Sequence, residues 1–195
     1  NFLTATPTPD QSTLEMRLTE EEPKFLLTTV PLAIRELDIQ AGEAKDVYKQ
    51  TFKNWSQETV TIGGVAAHMH MLGTGFDVAL KPAGEESEDA QQCLLRIKDW
   101  DFQWQQFYSF EKEEAVLLKP GDGIDLSCTY DNSQANQPTV NGEQLPPRDV
   151  AWGESSLDEM CLLYITTVKP FEPVPDASAV ACPDSAACLA ACAQG

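Results

Sequence analysis

Residues 100–105 read Trp-Asp-Phe-Gln-Trp-Gln, and their aromatic side chains recur at every second position. Because successive side chains of a β-strand point to opposite faces, this alternation predicts a strand with the three aromatic residues on one face and Asp101, Gln103 and Gln105 on the other. The aromatic face would pack against a core and the polar face would meet water. The stretch therefore favours β structure.

Short apolar or alternating runs fill most of the remaining chain, and turn formers such as Gly121-Asp122-Gly123 and Asn141-Gly142 separate them. Further strands are predicted at 35–39, 47–52, 65–72, 77–80, 93–98, 115–118, 123–130 and 160–168. This number and spacing of short strands predicts an all-β fold, an antiparallel jelly-roll β-sandwich.

Composition divides the chain into three parts. Residues 1–23 are rich in Thr, Pro and Glu and are expected to form an N-terminal arm or linker. Residues 24–171 are expected to form the β-sandwich. Residues 172–195 form a Pro/Ala/Cys tail that contains Cys182, Cys188 and Cys192.

Length and charge exclude some classes of function. The chain has 195 residues, of which 42% are hydrophobic, enough for one sizeable core. Its 13 Lys and Arg against 31 Asp and Glu give a formal net charge of -18. Such a charge repels phosphate backbones and anionic lipid surfaces. We therefore expect no nucleic-acid partner, and no stretch has the length and composition of a membrane span.

The chain contains six cysteines, an even number that is more typical of an oxidising compartment than of the cytosol. We therefore expect an exported protein, periplasmic, cell-surface or extracellular. The tail has no Cys-x-x-Cys pair and no histidine nearby, so disulfides are favoured there over a metal cluster. In a eukaryotic secretory pathway, Asn54-Trp55-Ser56 would be an acceptor for N-glycosylation.

The chain contains two histidines, His68 and His70, within Ala67-His68-Met69-His70-Met71-Leu72-Gly73. Residues two apart on a strand share a face and lie about 7 Å apart. Both imidazoles could therefore reach one metal ion at about 2 Å. The alternative is that both are hydrogen-bonded core or rim residues, and an isolated His-x-His does not decide between these interpretations.

A third metal ligand would have to be a carboxylate, a cysteine or a methionine, because no further imidazole exists in the chain. A thioether would favour copper, above all Cu(I). Strand alternation turns Met69 and Met71 away from the two imidazoles, so both are expected in the core. Met160, in a polar loop that runs into the last strand, is another candidate, although a lone methionine is most often just buried.

Four segments occur in a distinctive order: 68–73, 95–105, 130–133 and 153–161. Together they resemble the C-terminal domain of the copper type II, ascorbate-dependent monooxygenases. This family includes peptidylglycine α-hydroxylating monooxygenase, dopamine β-monooxygenase and many bacterial relatives. The resemblance covers roughly residues 25–171 and is greatest to the bacterial branch.

The resemblance implies a jelly-roll sandwich in which His68, His70 and Met160 hold one copper ion, where O2 is used to hydroxylate the substrate and ascorbate is the external reductant. Two imidazoles and a weak thioether leave an open coordination position and stabilise Cu(I). The resemblance also implies a disulfide between Cys128 and Cys161, which would anchor the loop that bears Met160.

Two departures from the family pattern limit what the resemblance implies. In the peptide-hydroxylating branch an arginine and an asparagine help to hold the substrate carboxylate, but Ala66 and Leu162 stand at those places here. Of that substrate-binding set only Tyr164 remains, so peptide amidation is not expected. Family members also use a second copper, held by three histidines in a preceding domain. With His68 and His70 used, this chain has no imidazole left for that site.

Three hypotheses follow. The leading one is the substrate-side half of a copper monooxygenase, which works with an upstream or separate three-histidine copper domain. The alternative is an exported structural or interaction subunit of a larger assembly that keeps the fold with or without copper, and the cysteine-rich tail favours it. The third is a sandwich that binds carbohydrate or another protein through Trp55, Trp100, Trp104 or Trp152, although aromatic residues on strands usually belong to the core.

Overall fold

A computed structural model describes residues 11–111 and 115–172 of the chain. The predicted tail from residue 173 onward, with Cys182, Cys188 and Cys192, lies outside these residues. Within them, no helix is long and apolar enough to cross a membrane.

The described chain is built almost entirely of β-strands, with short 3₁₀ turns at Glu88–Ala90 and Gln134–Asn136. The strands are β1 (Phe25–Ile34), β2 (Asp38–Ile39), β3 (Asp46–Lys53), β4 (Val60–His68), β5 (Gly73–Lys81), β6 (Gln92–Ile97), β7 (Phe107–Ser109), β8 (Val116–Leu118), β9 (Gly123–Tyr130), β10 (Thr139–Val140), β11 (Glu143–Gln144), β12 (Val150–Ala151) and β13 (Cys161–Pro170).

Two larger antiparallel sheets contain most of these strands. One has the order β1-β13-β4-β7, with β8 also paired to β4, and the other has the order β3-β9-β5-β6. The first and last strands pair along their whole length, from Phe25 opposite Pro170 to Ile34 opposite Cys161. In the smaller pairs, β12 joins β2 and β10 joins β11.

One hydrophobic cluster receives side chains from both larger sheets. Val65 of β4 and Leu163 of β13 belong to it together with Phe76 of β5 and Leu126 of β9, and each is 0 or 1% exposed. Because β5 and β9 bury every second residue over most of their length, the opposite face of their sheet is left for other contacts. The prediction of an all-β antiparallel fold is confirmed, whereas the jelly-roll connectivity stays a prediction.

The strand predictions differ in how well they match. The strand predicted at 123–130 coincides with β9, and those at 47–52, 77–80, 93–98, 115–118 and 160–168 overlap β3, β5, β6, β8 and β13. The strand predicted at 35–39 is wrong except for the two residues of β2. The strand predicted at 65–72 is wrong beyond His68, where β4 ends and a turn begins.

The strand predicted at residues 100–105 is wrong, because these residues form a loop between β6 and β7. Asp101 directs the turn: its carboxylate accepts the N–H of Gln103 at 2.8 Å and its carbonyl accepts the N–H of Trp104 at 2.9 Å. Trp100 stacks on Phe76 with ring centroids 6.3 Å apart, while Trp104 is 65% exposed. An Asx-type turn thus overrides the alternation of aromatic residues.

The glycosylation tripeptide is not available in the folded chain. Asn54 is buried, and its side-chain amide nitrogen donates to the carbonyls of Glu58 at 2.9 Å and Leu118 at 3.0 Å. Its side-chain oxygen accepts the N–H and the hydroxyl of Ser56. Because the amide nitrogen is used internally, Asn54 serves as a structural residue of the loop before β4.

A disulfide joins the two sheets. Cys128 of β9 and Cys161, the first residue of β13, are bonded, and both are fully buried. The pairing that the family resemblance implied is confirmed. The bond fixes the start of β13 against the second sheet, and within the described residues Cys93 is a free, exposed cysteine.

We expect the double variant Cys128→Ala/Cys161→Ala to unfold at lower denaturant concentration than the parent chain. The bridge closes a loop with a sequence separation of 33. A cross-link of that size is worth about 2–4 kcal/mol of unfolding free energy. Urea unfolding followed by tryptophan fluorescence measures the difference. Cys93→Ser, which removes a free thiol outside the bridge, is the control. An equal loss of unfolding free energy in that variant would contradict the attribution of the loss to the Cys128–Cys161 bridge.

Candidate metal centre

The two histidines lie together at one end of the sheet that contains β1, β13, β4 and β7. His68 is the last residue of β4, and His70 follows in the turn that leads to β5. Their ring centroids are 5.2 Å apart and their planes are almost perpendicular, at 89°. His70 is 4% exposed, whereas His68 is partly open to solvent. The sequence prediction that the two imidazoles converge is thus supported, although only His68 belongs to a strand.

Each imidazole contacts an oxygen acceptor through its Nδ1 atom. Nδ1 of His68 lies 2.6 Å from Oε1 of Gln105, and Nδ1 of His70 lies 3.0 Å from the carbonyl oxygen of Asp158. Because these partners accept hydrogen bonds, a neutral ring must carry its proton on Nδ1. The lone pair of Nε2 is then available to a metal ion in both rings.

Burial keeps His70 in the form that a metal needs. Desolvation lowers the pKa of His70 below its usual value, and the nearby His68 lowers it further, although hydrogen bonding to the Asp158 carbonyl acts in the opposite direction. A neutral imidazole is the ligand form of histidine. The surroundings of His70 therefore favour metal binding over protonation.

The loop at residues 100–105 supports both histidines. The indole Nε1 of Trp100 donates to the carbonyl of His70 at 3.1 Å, and the Phe102 ring meets the His70 ring edge-on at 6.1 Å. The amide nitrogen of Gln105 donates to the Phe102 carbonyl at 2.9 Å, which fixes its oxygen toward His68. Sequence reasoning missed this role of Gln105, because it placed the residue on the wet face of a strand.

The turn after His70 is closely packed. Met69 is fully buried in the hydrophobic cluster, as predicted. The same prediction for Met71 is wrong, because Met71 lies in the turn after β4, is only partly buried and does not belong to that cluster. A Cβ atom on Gly73 would lie 2.8 Å from Cε of Met69 and 2.9 Å from Cδ1 of Trp100. Only glycine fits there without displacing those side chains, so the segment from His68 to Gly73 acts as one packed unit.

Met160 immediately precedes β13 and is half-buried. Leu162 pairs with His68 across the sheet, so the same antiparallel register continued by two residues brings Met160 opposite His70. The Met160 carbonyl accepts the hydroxyl of Tyr130 at 2.9 Å. The backbone of Met160 is therefore held beside the histidine turn.

The carboxylate of Glu159 joins the turn to the methionine segment. Its Oε2 accepts the N–H of His70 at 2.8 Å and the N–H of Met160 at 3.2 Å, and its Oε1 accepts the N–H of Leu72 at 2.7 Å. Burial raises the pKa of Glu159 to about 7, while these N–H donors and that of Gly73 act in the opposite direction. Sequence reasoning missed this residue, since a glutamate before a methionine gives no sign that it is buried.

Uncharged residues surround His68 on the face of β4 and β13 that points away from the hydrophobic cluster. Directly opposite residues share a face of an antiparallel pair. Tyr164 lies opposite Ala66 and Pro31, and Phe107 also pairs with Ala66. Ala66 and Tyr164 therefore share the face of His68. Ala66 and Leu162 occupy the places where the resemblance led us to look for an arginine and an asparagine.

The donor set fits a soft metal ion. Two imidazoles beside a thioether-bearing segment favour copper, and the positions that such a ligand set would leave open are compatible with binding of O2. Among the described residues, no group of three or more His, Cys, Asp and Glu could hold a metal ion. The described residues therefore bring two imidazoles together beside the Met160 segment, and Met160 as the third ligand of a metal ion stays a prediction.

Comparison with known protein families also indicates a copper protein. A family model described as "Copper type II ascorbate-dependent monooxygenase, C-terminal domain" matches residues 43–186, well over half of the chain. The chain therefore belongs to this copper- and ascorbate-dependent monooxygenase family. No curated protein matches the chain, and membership of the bacterial branch stays a prediction.

We expect Gln105→Ala to change the tautomer of His68 but not that of His70. Removing the Oε1 acceptor leaves nothing to hold the proton on Nδ1 of His68, whereas the Asp158 carbonyl still holds that of His70. Two-dimensional 15N NMR of the histidine side chains in the metal-free protein distinguishes the tautomers. Gln103→Ala, an exposed residue of the same loop, is the control. An unchanged His68 spectrum in Gln105→Ala would contradict the assigned contact.

Proposed function

We propose that this chain is a mononuclear copper-binding domain, the O2-activating and substrate-hydroxylating half of an ascorbate-dependent copper monooxygenase, with His68, His70 and Met160 as the copper ligands. One observation supports it most: the two imidazoles lie 5.2 Å apart with each Nδ1 atom against a fixed oxygen. Both Nε2 atoms are thereby free for one ion.

The residues of the chain have distinct tasks in this proposal. Bound copper supplies the redox chemistry by which O2 hydroxylates a C–H bond. His70, buried and neutral, is a rigid ligand, while His68 stands at the border between the site and the open sheet face. Met160 is a weak thioether ligand that stabilises the reduced ion.

We further propose that the substrate lies on the outer sheet face beside His68, with Tyr164 as a hydrogen-bonding group. The neighbouring positions Ala66, Leu162 and Phe107 bear no charge. A carboxylate placed there would lose water without gaining a guanidinium partner. The face suits a neutral part of a substrate, and peptide amidation is not proposed.

Electrons must reach this copper from elsewhere in the proposed reaction. The chain has two histidines and both are assigned to one ion. We therefore propose a partner, in an upstream or a separate domain, that holds a three-histidine copper and passes on electrons from ascorbate. The buried Cys128–Cys161 disulfide supports export to an oxidising compartment, where such bonds persist.

The alternative function is an exported structural or interaction subunit that keeps this fold with or without copper. Trp55 and Trp104, which are 80% and 65% exposed, could serve a binding role of that kind. Failure of the folded chain to bind copper would favour this alternative, because only the monooxygenase half requires the two oriented imidazoles.

We expect Met160→Ala to weaken Cu(I) binding and to remove sulfur scattering from the copper X-ray absorption spectrum. The thioether is the only soft ligand in the proposed set, so its loss leaves two nitrogen ligands. A competition titration against a chromophoric Cu(I) chelator measures the affinity. Met16→Ala is the matched control, since Met16 is 72% exposed. An unchanged affinity and spectrum in Met160→Ala would contradict this ligand set.

We expect the folded chain to bind one tight Cu(I) per molecule, and His68→Ala/His70→Ala to bind none. The two imidazoles supply both nitrogen ligands of the proposed set, and the chain contains no further histidine. Metal analysis after gel filtration gives the stoichiometry, with circular dichroism as the check on folding. A folded parent chain that retains no copper would favour the structural-subunit function instead.

A further inference from the structure

We propose that Glu159 is a positioning residue that holds His70 and Met160 in their ligand geometry before copper binds. The inference rests on the proposed ligand set and extends it to a side chain outside that set. Glu159 is 0% exposed, and each of its carboxylate oxygens accepts backbone N–H groups. It does not contact the metal position in this proposal, and acts on the ligands through their backbones.

One oxygen atom links the two ligand-bearing segments. Oε2 of Glu159 receives the N–H of His70 at 2.8 Å and that of Met160 at 3.2 Å, although these residues lie on different strand ends. Oε1 receives the N–H of Leu72 at 2.7 Å. The carboxylate thus sets both the shape of the turn after β4 and its distance from the start of β13.

The backbone of Glu159 is itself anchored outside the ligand segments. Its N–H donates to the Ala151 carbonyl at 3.2 Å, and its own carbonyl accepts the N–H of Gly153 at 3.1 Å. Ala151 belongs to β12, which pairs with β2. A Cβ atom on Gly153 would collide with the side chain of Asp158, so this close approach requires glycine. The backbone of Glu159, from which the carboxylate extends, is therefore held in place by contacts outside the two ligand segments.

One further contact joins the two ligand-bearing segments, since the Asp158 carbonyl accepts a hydrogen bond from the ring of His70. The remaining contacts hold only one of the two ligands. The Cys128–Cys161 disulfide and the hydroxyl of Tyr130 fix the segment around Met160. The indole of Trp100 fixes the carbonyl of His70. Among the contacts described at this site, Glu159 is the side chain that binds the backbones of both His70 and Met160.

Glu159→Gln tests the proposal with almost no change in volume. A glutamine side chain has one acceptor oxygen and one NH2 group, and the NH2 group cannot accept a hydrogen bond from a backbone N–H. If the NH2 group takes the place of Oε2, the contacts with His70 and Met160 are lost. If it takes the place of Oε1, the contact with Leu72 is lost. We expect about a 10- to 100-fold loss of Cu(I) affinity, the range typical of groups that orient metal ligands. We also expect weaker or longer sulfur scattering in the copper X-ray absorption spectrum.

The matched control is Glu143→Gln, the same chemical change at an exposed position of β11. A merely structural role would lower the stability of Glu159→Gln and leave the Cu(I) affinity and the sulfur scattering of the folded fraction as in the parent. That result would overturn the proposal.

Hydrogen exchange of the unaltered, metal-free chain provides a second test, which remains valid if Glu159→Gln does not fold. We expect the amides of His70, Leu72 and Met160 to exchange as slowly as those of the central strand β9, because their acceptor is buried. Rapid exchange of these amides in a folded chain would overturn the proposal. If slow exchange is found in a chain that binds no Cu(I), the proposed function fails while the described contacts stand.

Discussion

The buried carboxylate of Glu159 is the interaction on which the arrangement of the candidate site depends. The turn that follows β4 and the segment that precedes β13 approach each other there. Each has backbone N–H groups that are not paired with a neighbouring strand. A buried N–H without an acceptor costs about 1–3 kcal/mol. One carboxylate accepts the N–H groups of His70, Leu72 and Met160, so the ends of the two strands can meet without water.

A buried carboxylate is itself costly, and its position explains why the cost is tolerated. Desolvation raises the pKa of Glu159 to about 7, and the surrounding N–H donors oppose that shift. The same burial that makes the charge expensive strengthens each hydrogen bond to it. A methionine or leucine at this place would fill the volume but leave the turn after His68 without acceptors. The residue is therefore best understood through its effect on the geometry of its neighbours.

Sequence reasoning succeeded where side chains alternate along a strand and where motifs occur in a distinctive order. Alternation gave the position of β9, and the order of four motifs indicated the family, the histidine pair and the Cys128–Cys161 bridge. It failed at residues 100–105, where Asp101 closes a turn that a period of two cannot reveal. It also missed Gln105 and Glu159, because their roles depend on which distant backbone atoms they meet. Contacts of that kind are fixed by the tertiary fold.

The number of histidines limits the chemistry of the proposed copper site. Hydroxylation of a C–H bond by O2 consumes a pair of electrons from a reductant, whereas a copper ion that cycles between Cu(I) and Cu(II) supplies them singly. A site built from His68, His70 and Met160 uses every imidazole of the chain. The second electron must then arrive through a donor that this site does not contain. The partly open position of His68, beside the uncharged face of β4 and β13, leaves this imidazole accessible from solvent, whereas His70 is buried.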